Sequence, residues 1–146
     1  MIEEDNYEKI LVRYFSNVLE EITVETLWAK VIDRSKGLYK IDNIPFYGPN
    51  FSSEDLVLAE YDECEERLTF KKVIEYSGNS TIQIIVLDEK IDVKSLRIEF
   101  ELLGCDTESA NNKYFVMEIS SNTNYNTIYK ILKELQLNQI IDFAEP

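Results

Sequence analysis

The chain contains no histidine, and this absence removes several kinds of chemistry. It excludes a histidine-based catalytic triad, a cysteine–histidine pair, histidine metal ligands and a histidine pH switch. The sequence also lacks a phosphate-binding P-loop, a dinucleotide-binding GxGxxG pattern and a GxSxG nucleophile motif. We therefore predict a protein that is not an enzyme, with no catalytic residues and no cofactor.

Cysteine is almost as scarce. Cys64 and Cys105 are the two cysteines of the chain, and they form no CxxC pair of the kind that holds zinc. The chain begins MIEEDNYEK, which lacks the apolar segment of a secretory signal peptide, and its longest apolar run, IQIIVL, is too short to cross a membrane. We therefore expect a cytoplasmic protein with two free thiols. Cys105 follows a predicted helix, so we expect a buried small hydrophobe rather than a nucleophile.

Basic residues are few relative to acidic ones. Twenty-eight acidic side chains stand against fifteen basic ones, which gives a formal net charge of -13. Such a field repels nucleic acid and anionic lipid, because binding to either requires cations that displace condensed counterions. The same field attracts a basic protein and speeds its encounter with the chain. The composition therefore predicts no nucleic-acid or membrane partner and favours a basic protein, with solubility alone as the other reading.

The sequence does contain enough hydrophobic residues to form a buried core. The 146 residues are 45% hydrophobic, which suits one domain with a buried core. Residues 1–80 show mainly the patterns of strands and turns, whereas residues 81–146 alternate strands with helices. We predict an α+β protein with an N-terminal antiparallel β-sheet or small barrel over residues 1–80. A ferredoxin-like βαββαβ half follows over residues 81–146, and we expect the two to pack as one compact unit.

The first segment supports two interpretations. Apolar residues between Tyr7 and Leu19 recur at helical spacing, but the stretch KILVRYF within residues 8–15 is rich in strand-forming residues, so helix and strand both stay open. Two hairpins are predicted after it. One joins TVETLWAKVID to GLYKIDNIPF through the turn RSKG, and the other joins DLVLAEYD to RLTFKKVIEYS through ECEE.

In the second half of the chain, the patterns of strands and helices alternate and are easier to assign. The strand TIQIIVL precedes a helix over DVKSLRIEFELLG, for which Asp92 is the predicted N-cap and Gly104 the stop. The strands CDTES and KYFVMEIS follow. A second amphipathic helix, TNYNTIYKILKELQ, leads to the final strand QIIDFA.

Six short segments, in this order and spacing, resemble an uncharacterised bacterial family, the domain of unknown function numbered 4265: ETLWAK, GLYKIDNIPFYG, DLVLAE, VIEYSGNSTIQI, LLGCDTE and YFVMEI. The resemblance runs from about Thr23 to the C-terminus, and LYKIDNIPF is its most specific part. It implies a strand over residues 8–15 and no established activity. Family members often carry a histidine where this chain has Asn79, so any role of that histidine is lost here.

The stretch Asn43–Pro49 is predicted to be an elbow between two strands. Pro45 restricts Ile44 to an extended conformation, and Gly48-Pro49 favours a further turn. We expect the neighbouring aromatic residues to cover the sheet: Phe46, Tyr47 and Phe51. A ligand-binding loop is the alternative, since irregular loops often carry function.

The strongest charge feature is EDLVLAEYDECEE, residues 54–66, which holds seven carboxylates and no cation. It lacks the glycine and terminal glutamate spacing of an EF-hand loop, so we predict no metal site. A solvated hairpin tip and an acidic contact surface are the two readings that remain. The candidate partner-binding residues are Glu54, Asp55, Glu60, Asp62, Glu63, Glu65 and Glu66.

Two functions fit these features. The first is an acidic inhibitor or immunity-type protein that neutralises a basic, nuclease-type toxin through its carboxylates. The second is a small-molecule sensor or regulatory module in which ferredoxin-like halves pair as a homodimer. The sequence identifies neither the partner nor the oligomeric state.

Overall fold

The computed structural model describes residues 6–16, 20–47 and 51–145. The chain divides into two compact units, Met1–Ser77 and Gly78–Pro146, so the division falls after residue 77 rather than after residue 80. Within the described ranges the first unit consists of five strands, and the second consists of four strands and two helices. The α+β class predicted from the sequence is confirmed.

The first unit is built from consecutive strands. They are β1 (Tyr7–Ser16), β2 (Glu21–Asp33), β3 (Leu38–Ile41), β4 (Leu56–Asp62) and β5 (Arg67–Glu75). Each strand pairs antiparallel with the next, and β1 also meets β5 in parallel at Leu11 and Thr69, which closes the sheet into a barrel. The strand interpretation of residues 8–15 is therefore the observed one. Antiparallel pairing with β2 along the whole of β1 outweighs the helical spacing of its apolar residues.

Alternate side chains of these strands fill the barrel, as expected when successive residues point to opposite faces. The buried cluster consists of Ile10, Val12, Leu27, Ala29, Tyr39, Ile41, Phe51, Val57 and Ala59. The ring of Phe51 stacks on Phe70 with centroids 5.4 Å apart, so the segment before β4 contributes directly to this core.

A tight turn joins β2 to β3 where the sequence RSKG predicts one. Arg34–Lys36 form a single 3₁₀ turn, and the Asp33 carboxylate accepts a hydrogen bond from the Lys36 N–H. Gly37 has φ 71°, and a Cβ at this position would lie 2.8 Å from the carbonyl oxygen of Ala59. Only glycine satisfies both the left-handed conformation and the close approach of β4.

The second unit is a sheet with two helices. Its elements are β6 (Ser80–Val86), α1 (Val93–Leu102), β7 (Asp106–Ser109), β8 (Tyr114–Ile119), α2 (Tyr125–Leu137) and β9 (Ile141–Ala144). The strands lie in the order β7-β8-β6-β9, and every neighbouring pair is antiparallel. The main buried cluster combines both helices with one face of this sheet, and it includes Ile84, Phe100, Phe115 and Leu132.

Both helices begin after a capping residue, and Asp92 is the one that the sequence predicts. The Asp92 side chain accepts from the Lys94 N–H, and the Asn124 side chain accepts from the Thr127 N–H, which satisfies one free donor at each N-terminus. Helix α1 ends just before Gly104, whose φ is 97°. In the described part of the chain, no helix is long and apolar enough to cross a membrane.

Candidate partner-binding surface

The acidic tip, residues 60–66, comprises the end of β4 and the turn that leads into β5. Asp62 pairs with Arg67 across the last rung of the hairpin. The Asp62 carboxylate accepts hydrogen bonds from the N–H groups of Cys64, at 2.8 Å, and Glu65, at 3.1 Å. Glu66 completes the turn in the left-handed region with φ 56°. Asp62 therefore acts mainly as a turn-forming residue that fixes the shape of the tip.

Three of the seven candidate carboxylates project from this tip into solvent. Glu60, Glu63 and Glu66 are exposed, and none of the ion pairs found among the described residues involves them. Glu65 is half-buried and pairs with the guanidinium group of Arg13 on β1. The tip thus presents three unneutralised carboxylates on a turn that is held by Asp62 and by the Arg13–Glu65 ion pair.

The other two candidates lie elsewhere. Glu54 precedes β4 at its opposite end, about 20 Å from the tip along a strand of this length. Its carboxylate lies 3.9 Å from Lys40 Nζ. Asp55 is 1% exposed, and its two oxygens accept the N–H groups of Ser52 and Ser77, both at 2.8 Å. The expectation that Asp55 lies on a contact surface is corrected: its carboxylate is turned inward because it binds these backbone donors.

One exposed residue of the tip was missed by the sequence reasoning. Tyr61 is 64% exposed and lies between Glu60 and Asp62. It continues the alternation of the buried residues Val57 and Ala59, but it does not belong to the buried cluster of the barrel. The alternating pattern alone predicts that the ring is buried. Only the position of the turn that follows could have indicated from the sequence that the ring is exposed. Tyrosine is enriched at binding hot spots, so an exposed tyrosine among carboxylates is a candidate contact residue.

The two cysteines differ in accessibility. Cys64 is exposed in the acidic tip, whereas Cys105 is buried in the core of the second unit. Burial, with a smaller contribution from the charge of Asp106, raises the pKa of the Cys105 thiol to about 11. The expectation that Cys105 is buried is confirmed.

A thiol-reactive dye at neutral pH is therefore expected to modify Cys64 and to leave Cys105 unmodified until the protein unfolds. The rates should differ by at least about 100-fold, because both burial and the small thiolate fraction protect Cys105. Peptide mapping by mass spectrometry, with and without denaturant, measures the two rates. Equal modification of both cysteines in the native protein would contradict this assignment.

The elbow is attached to β2 by hydrogen bonds. The Glu25 carboxylate accepts the N–H groups of Phe46, at 2.6 Å, and Tyr47, at 3.2 Å, and also the Tyr14 hydroxyl, at 3.1 Å. Ile44 and Phe51 are buried. These contacts favour packing over ligand binding for this segment. The predicted turn at Gly48-Pro49 lies outside the described residues.

Replacing Glu25 with alanine should destabilise the first unit by about 2 kcal/mol, because two backbone N–H groups of the elbow lose their carboxylate acceptor. Chemical denaturation measures the change. Glu21→Ala, at an exposed position of the same strand, is the control and should change stability by less than about 0.5 kcal/mol. Equal effects of the two substitutions would show that the elbow does not depend on Glu25.

Comparison with known proteins supplies a family but no activity. A solved structure described as a hypothetical protein from Neisseria gonorrhoeae is similar to this chain, with 25% sequence identity and a TM-score of 0.80. The similarity covers 94% of this chain and 92% of that chain. No curated protein matches the chain. The family model for DUF4265, a domain of unknown function, matches residues 25–143, and the chain therefore belongs to the DUF4265 family.

Proposed function

We propose that the protein is an acidic, cytoplasmic protein-binding module that inhibits a basic, nuclease-type toxin in the manner of an immunity protein. The observation that carries this proposal is the acidic tip. There, Glu60, Glu63 and Glu66 stand exposed and outside any ion pair of the described residues, next to the exposed ring of Tyr61. An aromatic anchor beside carboxylates is a chemistry suited to a cationic protein surface.

The shape of the tip supports binding without a large ordering cost. Asp62 fixes the turn through two backbone hydrogen bonds, and Glu65 is held by Arg13 from β1. A preorganised surface loses little conformational freedom when its partner arrives, which favours affinity. A nuclease groove is lined with cations that bind phosphates, and the three carboxylates would occupy such a groove in place of phosphates. The net charge of -13 adds long-range attraction and disfavours nucleic acid itself.

The test is affinity capture from the native cell with the tagged protein as bait, followed by elution in a salt gradient and mass spectrometry. Products of adjacent genes are included among the candidates. We expect a basic protein that is released as salt rises, because screening weakens contacts between exposed charges. The captured protein should have nuclease activity that the purified module suppresses. Recovery of acidic proteins alone, or of a basic protein whose activity is unaffected, would contradict the proposal.

A second candidate function rests on the second unit. We propose that its order of strand, helix, two strands, helix and strand, with the sheet order β7-β8-β6-β9, is a ferredoxin-like arrangement. A polar cleft of about 510 Å³ adjoins the start of α1, and Lys90, Lys94 and Arg97 are among its lining residues. These features suit a regulatory module that pairs as a homodimer and binds a small molecule. This function would be favoured over the first by a dimer that does not dissociate on dilution and that a metabolite stabilises against heat.

A further inference from the structure

The outward face of the β1–β2 hairpin carries a set of exposed apolar side chains, here called the apolar stripe: Phe15, Ile22 and Val24. Phe15 pairs directly with Ile22 across the two strands, and Val24 lies two residues further along β2 on the same face. They are 54%, 63% and 49% exposed. None of them belongs to the buried cluster of the barrel. Contiguous exposed apolar residues of this kind commonly mark a contact surface.

The apolar stripe is joined to the acidic tip through one ion pair. Arg13 lies directly opposite Val24 in the hairpin register, and its guanidinium group contacts Glu65 of the tip. The distance between the backbones of Arg13 and Glu65 is limited by the lengths of their two side chains. The tip and the stripe are therefore neighbours on the first unit. The contact also neutralises Arg13, which lies directly opposite Val24 of the stripe.

We propose that the acidic tip and the apolar stripe form a single binding surface, on which a basic partner places apolar side chains against Phe15, Ile22 and Val24 while its cations face the tip. This inference rests on the proposed function, since the tip defines the charge of the partner. Protein interfaces commonly combine an apolar centre with a charged rim, and this surface has both parts side by side. The charged part steers the encounter, and the apolar part slows dissociation.

A second copy of this chain fits the stripe less well than a basic partner does. Two chains that each carry a net charge of -13 repel each other, so a contact between two copies brings like charge to like charge. Charge complementarity therefore selects a basic, partly apolar protein as the occupant.

The test uses two synthetic peptides of equal length and charge, one alternating lysine with leucine and the other alternating lysine with serine. Each carries a fluorophore, and anisotropy gives its dissociation constant. The lysine–leucine peptide should bind about tenfold more tightly than the lysine–serine peptide, because it alone has side chains for the stripe. The triple variant Phe15→Thr, Ile22→Thr and Val24→Thr, which keeps strand-forming residues, should abolish this difference and leave binding of the lysine–serine peptide unchanged.

The matched control is Leu102→Gln with Leu137→Gln, which removes exposed apolar side chains from the second unit and should preserve the tenfold difference. Equal affinities of the two peptides for the wild type, or a difference that survives in the triple variant, would overturn the inference and leave the proposed function standing. If charge reversal of the tip leaves lysine–serine binding unchanged, both fail. Should the triple variant not fold, Ile22→Thr alone is measured, and an unchanged preference for leucine overturns the inference.

Discussion

Asp55→Ala is expected to lower the free energy of unfolding by about 3 kcal/mol, although Asp55 lies within the most acidic segment of the chain. The carboxylate is 1% exposed, and its two oxygens connect the N–H of Ser52, before β4, to the N–H of Ser77, after β5. Alanine removes both acceptors from a buried site and leaves a void. Urea denaturation followed by circular dichroism measures the loss.

Two further substitutions separate this role from simple removal of charge. Asp55→Asn keeps the shape of the side chain and one acceptor oxygen, so its loss of stability should be smaller than that of Asp55→Ala. Glu54→Ala removes the neighbouring exposed carboxylate and should change stability by less than about 0.5 kcal/mol. A stable Asp55→Ala protein that binds partners less well would instead return Asp55 to the candidate surface.

Charge reversal of the acidic tip is expected to weaken binding of the basic partner by at least about 100-fold at low salt. The variant combines Glu60→Lys, Glu63→Lys and Glu66→Lys, because these three carboxylates are exposed and belong to no ion pair of the described residues. Stability should change little, since none of the three supports the fold through the contacts described. Isothermal titration with the purified partner measures the affinity.

The matched control for the reversed tip carries Glu89→Lys, Glu99→Lys and Glu134→Lys. These exposed glutamates belong to the second unit, so the control changes the net charge equally without altering the tip. If binding depends only on net charge, the two variants should lose affinity equally. If it depends on the tip, the control should retain affinity within about tenfold of the wild type.

Much of the architecture follows from patterns within short segments. Asp92 predicts the start of α1, and Gly37 predicts the turn between β2 and β3, because each residue satisfies a local backbone requirement. The segment Tyr7–Ser16 is different. Its spacing fits a helix as well as a strand, and the decision comes from its pairing with β2, a contact that no property of the segment alone specifies.

The candidate surface was predictable only in part. The sequence places seven carboxylates close together, but it does not distinguish Asp55, which turns inward to backbone donors, from Glu60, which stays in solvent. The partner of Glu65 is Arg13, which lies 52 residues away in the chain. Such a contact depends on how β1 lies relative to the β4–β5 hairpin. The same contact connects the apolar stripe to the acidic tip in the proposed surface.

The measurement that tests the central claim most directly is the salt dependence of the association rate between the captured basic protein and the wild-type, tip-reversed and control proteins. Binding through the acidic tip predicts a rate that falls steeply with ionic strength for the wild type and the control, and a slower, nearly salt-independent rate for the tip-reversed protein. An equally steep dependence for all three proteins would contradict the claim, since the attraction would then come from the whole chain rather than from Glu60, Glu63 and Glu66.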